Sequence, residues 1–492
     1  MAALRVLTAL RVESLAMGGA DVVVGKGPAR ARRTAATLAE RLDIDAAIAV
    51  VGVAGGLHPD VRAGDLVIPS ELRTAGAPGA LLLPVAGLLA AEFRRLRSRV
   101  HTGPLVSADR YMDGRERASL AATGAVAVDM ESAWLAGPLD RRPFAVVRAV
   151  SDTADQGPIV GGVHALRALR GVRAPLERWA RACGSHELVL AAPRSFCAGV
   201  ERAIEIVERA LQRHGAPVYV RRQIVHNLHV VRDLESKGAV FVEELAEVPD
   251  NSVVVFAAHG VSPVVRADAE RRADLTVVDA TCPLVAKVHA EARRYAAKDY
   301  TLVLVGHAEH EEVVGTVGEV PGRVHVVASV ADVAALEIDD SSRVAYLTQT
   351  TLAVDETAVV IGALQERFGD VAGPPAADIC YATQNRQDAV RAIARRCDLM
   401  LVVGSQNSSN TARLVELARR EGTRAELLED ASGLELAWLE GARTIGVTAG
   451  ASVPESLVQE LVTVLGHLGP LDVTEERVIS EDVRFALPSG VR

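Results

Sequence analysis

The stretch that decides the reading is Glu187–Ala203, "ELVLAAPRSFCAGVERA". An apolar run stops at Pro193. Four residues later a cysteine, Cys197, precedes Ala-Gly and a segment with helical spacing. A thiol at that point faces the partial positive charge and unpaired N–H groups of a helix start, which favour the thiolate. The residue pattern leaves three readings: nucleophile, metal ligand, or small buried hydrophobe. Two further stretches repeat the context. "TVVDATCPLV" (Thr276–Val285) and "AADICYATQN" (Ala376–Asn385) each bring a cysteine, Cys282 and Cys380, to the end of an extended run and the start of a helical one. Three thiols in matching places weaken the buried-hydrophobe reading. Cys183 and Cys397 lack that context and read as structural, Cys397 within the helix "AVRAIARRCDLM".

The bulk composition sets outer bounds. The chain has 492 residues, 49% hydrophobic and 24% charged, which suits a globular protein of several domains. A net charge of −9 disfavours a nucleic-acid partner. Five cysteines in a long chain do not make a disulfide framework. The start "MAALRVLTALRVESLAMGG" reads as a first strand and not as a signal peptide. The uncharged run Thr74–Ala91 is broken by Gly and Pro and reads as a buried loop and helix, not a membrane span. The expected location is cytoplasmic.

Outward from the opening stretch the chain reads as two halves, divided near residue 185. In the first, "DIDAAIAVVGVAGGL" (Asp43–Leu57), "GDLVIP" (Gly64–Pro69) and "PFAVVRAVSD" (Pro143–Asp152) are strands separated by helices such as Ala29–Leu42. Gly161–Ser185 reads as one basic amphipathic helix leading to the boundary. In the second, "SVVVFAAHG" (Ser252–Gly260), "YTLVLVGHAEH" (Tyr300–His310) and "LMLVVGSQNSSN" (Leu399–Asn410) are strands ending in polar clusters. The expectation is an α/β protein: residues 1–185 one α/β domain, residues 186–492 three pseudo-repeated α/β modules around one centre. Ligand sites of α/β sheets lie outside the carboxyl ends of the strands, so three thiols and three polar clusters would share a cleft. Three thiols could hold zinc, but structural zinc sites take four ligands, often in close pairs that this chain lacks. Iron–sulfur clusters also take thiolates.

At this point a resemblance enters. "PRSFCAGVERAI", "VHNLHVV", "AAHGVSPVVR", "DATCPLVAKVH", "GHAEHEEVVGT", "LTQTTLAVDET", "DICYATQNRQ", "GSQNSSNTARL" and "GVTAGASVPE" resemble the 4-hydroxy-3-methylbut-2-enyl diphosphate reductases of the LytB type, over essentially the whole second half. The resemblance implies a [4Fe–4S] cluster on Cys197, Cys282 and Cys380 with one iron open. It implies a diphosphate held by His226, His259, Ser408, Ser409, Asn410 and Ser452. It places the proton-delivering acid on Glu312, a further active-site histidine on His310, and a relay hydroxyl on Thr350. The family's usual His-Pro-Glu is His310-Glu311-Glu312 here. The implied reaction is reductive dehydroxylation to isopentenyl and dimethylallyl diphosphates in the methylerythritol phosphate isoprenoid pathway. No nicotinamide or flavin fingerprint is visible, so a ferredoxin- or flavodoxin-type donor is expected. The competing reading is a three-thiol zinc protein without redox function.

In the first half, "VGVAGGLHPDVRAGDLVIP", "AVDMESAWLA" and "VVRAVSDTAD" resemble the nucleoside phosphorylase and nucleosidase superfamily over about residues 4–160. The resemblance puts Met130 and Glu131 on a ribose, Asp152 on a purine N7 as acid or hydrogen-bond partner, and Glu13 on a water. Glycosidic cleavage needs such an acid at the leaving base. Two bland readings compete: Glu131 as an acid at a helix start and Asp152 as an N-cap. The resemblance implies cleavage of a purine nucleoside, a hopanoid adduct being one candidate. Phosphorolysis and hydrolysis both stay open. The alternative is a non-catalytic binding or scaffolding module.

Overall fold

The computed structural model describes residues 2–112, 114–139, 141–153, 158–338, 343–375 and 378–491. The chain divides into two compact units. The first comprises Met1–Leu188, Asp430–Ile445 and Gln459–Thr474; the second comprises Val189–Glu429, Gly446–Val458 and Glu475–Arg492. A strand, His186–Ala192, begins at the expected boundary, but the units interleave where the sequence suggested a single cut.

In the first unit an eight-stranded sheet runs in the order Val22–Val23, Leu4–Thr8, Ala47–Gly56, Ala127–Asp129, Val100–Ser107, Leu66–Thr74, Ala80–Leu82. Phe144–Asp152 pairs with both Ala47–Gly56 and Leu66–Thr74, closing five strands into a ring. Every residue of Phe144–Asp152 is buried, as its unbroken apolar run requires of a strand covered on both faces. Asp152 is the last residue of that strand and caps no helix. Glu131 does stand at the N-cap of Ser132–Ala136, but its carboxylate makes no capping bond there. The single helix expected over 161–185 is two, Pro158–Leu169 and Arg173–Ala182. Gly171 lowers helix stability at the break, and Pro175 is tolerated only in the first turn of a new helix. Within the run 74–91, the helix Ala86–Arg95 is largely buried whereas residues 76–80 are exposed.

The later chain forms three further sheets among the described residues. Ala239–Val242, Val218–Arg221, Val253–Phe256 and Thr276–Asp279 make a parallel four-stranded sheet. Val324–Val327, Thr301–Val305 and Val344–Thr348 make a parallel three-stranded one. Arg424–Leu428, Leu399–Val403, Thr444–Ala449, His186–Ala192 and Leu471–Arg477 make the third. The three cysteines mark the three places where the chain leaves one sheet for the next. Cys197 lies between His186–Ala192 and Val218–Arg221, Cys282 between Thr276–Asp279 and Thr301–Val305, and Cys380 between Val344–Thr348 and Leu399–Val403. Each is the N-cap of the helix that makes the crossing: Ala198–His214, Pro283–Ala296 and Tyr381–Ala394. One expectation differs. Ala376 and Ala377 lie outside the described residues, and Asp378 and Ile379 before Cys380 are not in a strand; Asp378 accepts the Thr348 N–H through its side chain (3.1 Å) and Cys380 N donates to Thr350 O (3.0 Å). Cys397 is buried but lies beyond the end of its helix, before the strand Leu399–Val403. No described helix is long and apolar enough to cross a membrane.

Candidate functional site

The three N-cap cysteines line one cavity of ≈ 110 Å³ in the second unit. Gly199, in the first turn of its helix, leaves room for the sulfurs: a Cβ there would stand 2.8 Å from Cys282 Sγ and 3.8 Å from Cys197 Sγ. Cys380 Sγ accepts from Thr383 N (3.3 Å) and lies 3.0 Å from Thr383 Oγ1. Burial pushes Cys282 up to about 11, with the neighbouring Cys197 adding to it. Burial pushes Cys380 up to about 12, again with Cys197 adding. Cys282 and Cys380, so buried, resist ionisation unless a cationic group binds them. Among the described residues no three His, Cys, Asp or Glu stand so as to hold a single metal ion. Three cysteines lining one cavity are a donor set that fits an iron–sulfur cluster.

Glu312, 2% exposed, lines the same cavity from the first turn of Glu311–Glu319. Its Oε1 accepts the Thr350 N–H (2.7 Å) and its Oε2 the Thr350 hydroxyl (3.0 Å). Burial pushes its carboxyl up to about 7 against the pull of those two bonds. At neutral pH it therefore holds a proton it can release. His310 is the N-cap of the same helix, and its Nδ1 accepts the Glu312 N–H (3.3 Å), which leaves the neutral ring's proton on Nε2.

His226, His259 and His310 form one group. His226 stacks on His259 with ring centroids 4.1 Å apart, and His310 meets both edge-on at 5.7 and 5.9 Å. Burial, then the charge of His259, lowers His226 to about 3 and His310 to about 4, so both are neutral. Ser408 caps Ser409–Arg420 and accepts from Thr411 Oγ1 (3.0 Å). Ser409 Oγ accepts from Thr351 Oγ1 (3.1 Å), leaving its own proton free to donate. Ser452 Oγ donates to His226 O (3.1 Å). Among the described residues, both amide atoms of Asn410, His226 Nδ1 and His259 Nδ1 are buried without hydrogen-bond partners. A buried polar atom without a partner is costly, so the Asn410 and His226 atoms mark where a polar ligand would be met. Cys197, Cys282, Cys380, His226, His259, His310, Glu312, Thr350, Ser408, Ser409, Asn410 and Ser452 all line this one cavity.

Some contributors escaped the sequence. Arg386, fully buried, donates to Ser195 O (2.7 and 3.1 Å), Phe196 O (3.2 Å) and Ala382 O (2.9 Å), and pairs with Glu481 (3.1 Å). It thereby ties the loop before Cys197 to the helix that Cys380 caps. Phe485, six residues from the end of the described chain, supplies part of the apolar wall. Their only sequence signals were an arginine inside "YATQNRQ" and one aromatic in a polar tail.

A second cavity, ≈ 330 Å³, opens in the first unit beyond the carboxyl ends of its strands; Glu13, Met130, Glu131 and Asp152 line it. Glu131 Oε1 accepts the Gly27 N–H (3.0 Å) at the start of the helix Pro28–Arg41. Burial raises its pKa, with Arg148 opposing and Asp129 adding. Glu13 accepts from Leu10 N (2.7 Å) and Val53 N (2.9 Å). Asp152 is engaged on both oxygens, by Ser151 Oγ (2.6 Å) and by Arg117. Arg117 also donates to Gly56 O (3.0 Å). This clamp was not visible in the sequence.

Residues 188–466 match the family described as LytB protein. The chain belongs to the LytB protein family. Residues 10–168 match the phosphorylase superfamily, so the LytB part is preceded by a phosphorylase-like domain. A 4-hydroxy-3-methylbut-2-enyl diphosphate reductase of Bordetella pertussis is 55% identical over 305 residues, covering 62% of this LytB-family chain and 94% of the relative. One of Zymomonas mobilis is 55% identical over 306 residues, covering 62% and 90%. The structure of the reductase from Plasmodium falciparum is 38% identical, with a TM-score of 0.60, covering 63% of this chain and 97% of that one.

Proposed function

We propose that the second unit, with the chain from about residue 186 onward as its domain, reduces 4-hydroxy-3-methylbut-2-enyl diphosphate to isopentenyl and dimethylallyl diphosphates. The observation that carries this reading is a buried acid, Glu312, held by Thr350 in a cavity that also holds three N-cap thiols. Cys197, Cys282 and Cys380 would hold a [4Fe–4S] cluster, which would supply electrons one at a time from a ferredoxin- or flavodoxin-type donor. The allylic C–O bond breaks as two electrons and two protons enter, so one proton leaves in water and one ends on carbon. Glu312, through the Thr350 hydroxyl, delivers the first of these to the departing oxygen. His226, His259, Asn410 and the serines bind the diphosphate with N–H and O–H donors. Apolar walls such as Val200, Val225 and Phe485 keep water out. Anaerobic purification tests this: iron with sulfide, together with turnover of the diphosphate under reduction, is expected. Zinc in place of iron and sulfide refutes it.

For the first unit we propose cleavage of a purine nucleoside, with Glu131 on the ribose, Glu13 on the water and Asp152 at the leaving base. The convergence of these three carboxylates in one cavity supports it. A hopanoid adduct of adenosine is the candidate substrate. One observation favours the non-catalytic alternative: Arg117 and Ser151 already occupy Asp152. Release of adenine by the full chain, abolished by Asp152→Asn while reductase turnover persists, supports cleavage. No release from any purine nucleoside supports the binding module.

A further inference from the structure

Behind the histidine group lies a line of charge that plays no part in the reading above. Glu311 is the first residue of the helix Glu311–Glu319, where a carboxylate is favoured by the helix's positive end. It does not line the cavity; His259 does. Glu311 Oε2 stands 3.3 Å from His259 Nδ1, and Glu311 Oε1 stands 3.5 Å from Arg222 Nη1. Arg222 in turn lies 3.6 Å from Glu244. Burial works to raise the Glu311 carboxyl, but the contact with His259 and the charge of Arg222 win, taking it down to about 2. Glu311 is thus a fixed anion behind one particular ring.

Histidine chemistry gives that anion a consequence. A ring that is to meet an anion with one edge must be held at the other. The Glu311 carboxylate, 3.3 Å from Nδ1, fixes the turn of the His259 ring that lines the cavity. The other two rings do not share this arrangement. His310 Nδ1 accepts a backbone N–H, so that ring donates from Nε2 while neutral. His226 is neutral and lies flat against His259. The groups facing His259 are therefore His226, His310, Glu311 and, farther off, Glu312, with Arg222 behind Glu311.

We infer that Glu311 is a positioning residue that holds His259 as a donor to a bound diphosphate, beside the neutral donors His226 and His310. The inference deepens the proposed diphosphate site and rests on it. Arg222 keeps Glu311 from presenting net negative charge toward an anionic ligand.

The test is binding of inorganic pyrophosphate to the cluster-loaded full chain by calorimetry, in a cycle of Glu311→Gln, His259→Asn and both together. Glu311→Pro is the second variant, because a helix accepts proline at its first position. Each Glu311 variant is expected to weaken pyrophosphate about tenfold, as loss of one charge-assisted bond would. In the His259→Asn background the same changes are expected to have under about twofold effect, since the coupled partner is gone. The variants raise KM for the diphosphate substrate and leave kcat near its starting value. Unchanged affinity in both Glu311 variants overturns the inference, as does an equal loss with and without His259. If the unsubstituted chain binds no pyrophosphate, the diphosphate reading itself falls.

Discussion

Glu312→Gln isolates the acid. The wild-type carboxyl is fully enclosed and its pKa stands at about 7 instead of 4.5, because burial penalises the charge more than the two Thr350 bonds favour it. The unfolded chain loses this proton near 4.5, the folded chain near 7. Between those values the native state binds more protons than the unfolded state, so stability falls as pH rises and is flat above about 7. Integrated, the loss is roughly 3 kcal/mol. Glutamine keeps the geometry: its carbonyl accepts the Thr350 N–H and its amide donates to the Thr350 hydroxyl. It carries no charge at any pH. Urea unfolding of the cluster-free chain, followed by far-ultraviolet circular dichroism, is therefore expected to show near-equal stabilities at pH 4. At pH 8 the variant gains up to roughly 3 kcal/mol. Tryptophan fluorescence is the wrong probe, because Trp134, Trp179 and Trp438 all lie in the first unit. Infrared difference spectra supply the direct readout: a protonated carboxyl band that fades near pH 7 in the wild type and is missing in the variant. Turnover is expected to drop by about 10²- to 10⁴-fold with loss of the general acid. A stability difference that does not change with pH refutes the reasoning.

Three other substitutions probe the same cavity. Gly199→Ala is expected to leave the cluster-free fold intact, since alanine favours a helix by about 1 kcal/mol over glycine, but its methyl would crowd Cys282 Sγ at 2.8 Å, so iron and sulfide per chain fall. Asn410→Ala removes two buried amide atoms that have no partner; unfolding is expected to change by about 1 kcal/mol or less while pyrophosphate affinity drops. Arg386→Gln leaves Glu481 and the carbonyls of Ser195 and Phe196 without their cation; the cost is about 3–5 kcal/mol, and iron loss in air, followed by absorbance, is expected to accelerate.

The cysteines were readable because each needs only a local signal: a strand that stops and a helix that starts, with the thiol at the N-cap. That signal needs no knowledge of distant chain. Even so, Asp378 and Ile379 before Cys380 are not in a strand, and Asp378 makes its bond through its side chain. The helix expected over 161–185 failed for a similar reason: its amphipathic period continues across Gly171, but its backbone does not.

What stayed hidden has a common form. Arg386 finds Glu481 across 95 residues, Arg117 finds Asp152 across 35, and Glu311 finds His259 across 52. A sequence displays donors and acceptors, but only the fold pairs them, and an arginine's reach lets it choose among many acceptors. The consequence differs between the two cavities. In the second unit the long-range pairs stand behind the cavity and leave its donors facing inward, so Asn410 and His226 keep unpartnered atoms. In the first unit the pair falls on Asp152 itself, the residue that would meet a leaving base. The arginine occupies an oxygen that would otherwise be free to meet that base. For cleavage, Arg117 must withdraw when a nucleoside enters, so Arg117→Ala should speed adenine release if the domain is an enzyme; a rate that Arg117→Ala leaves unchanged would mean that Arg117 does not latch the site.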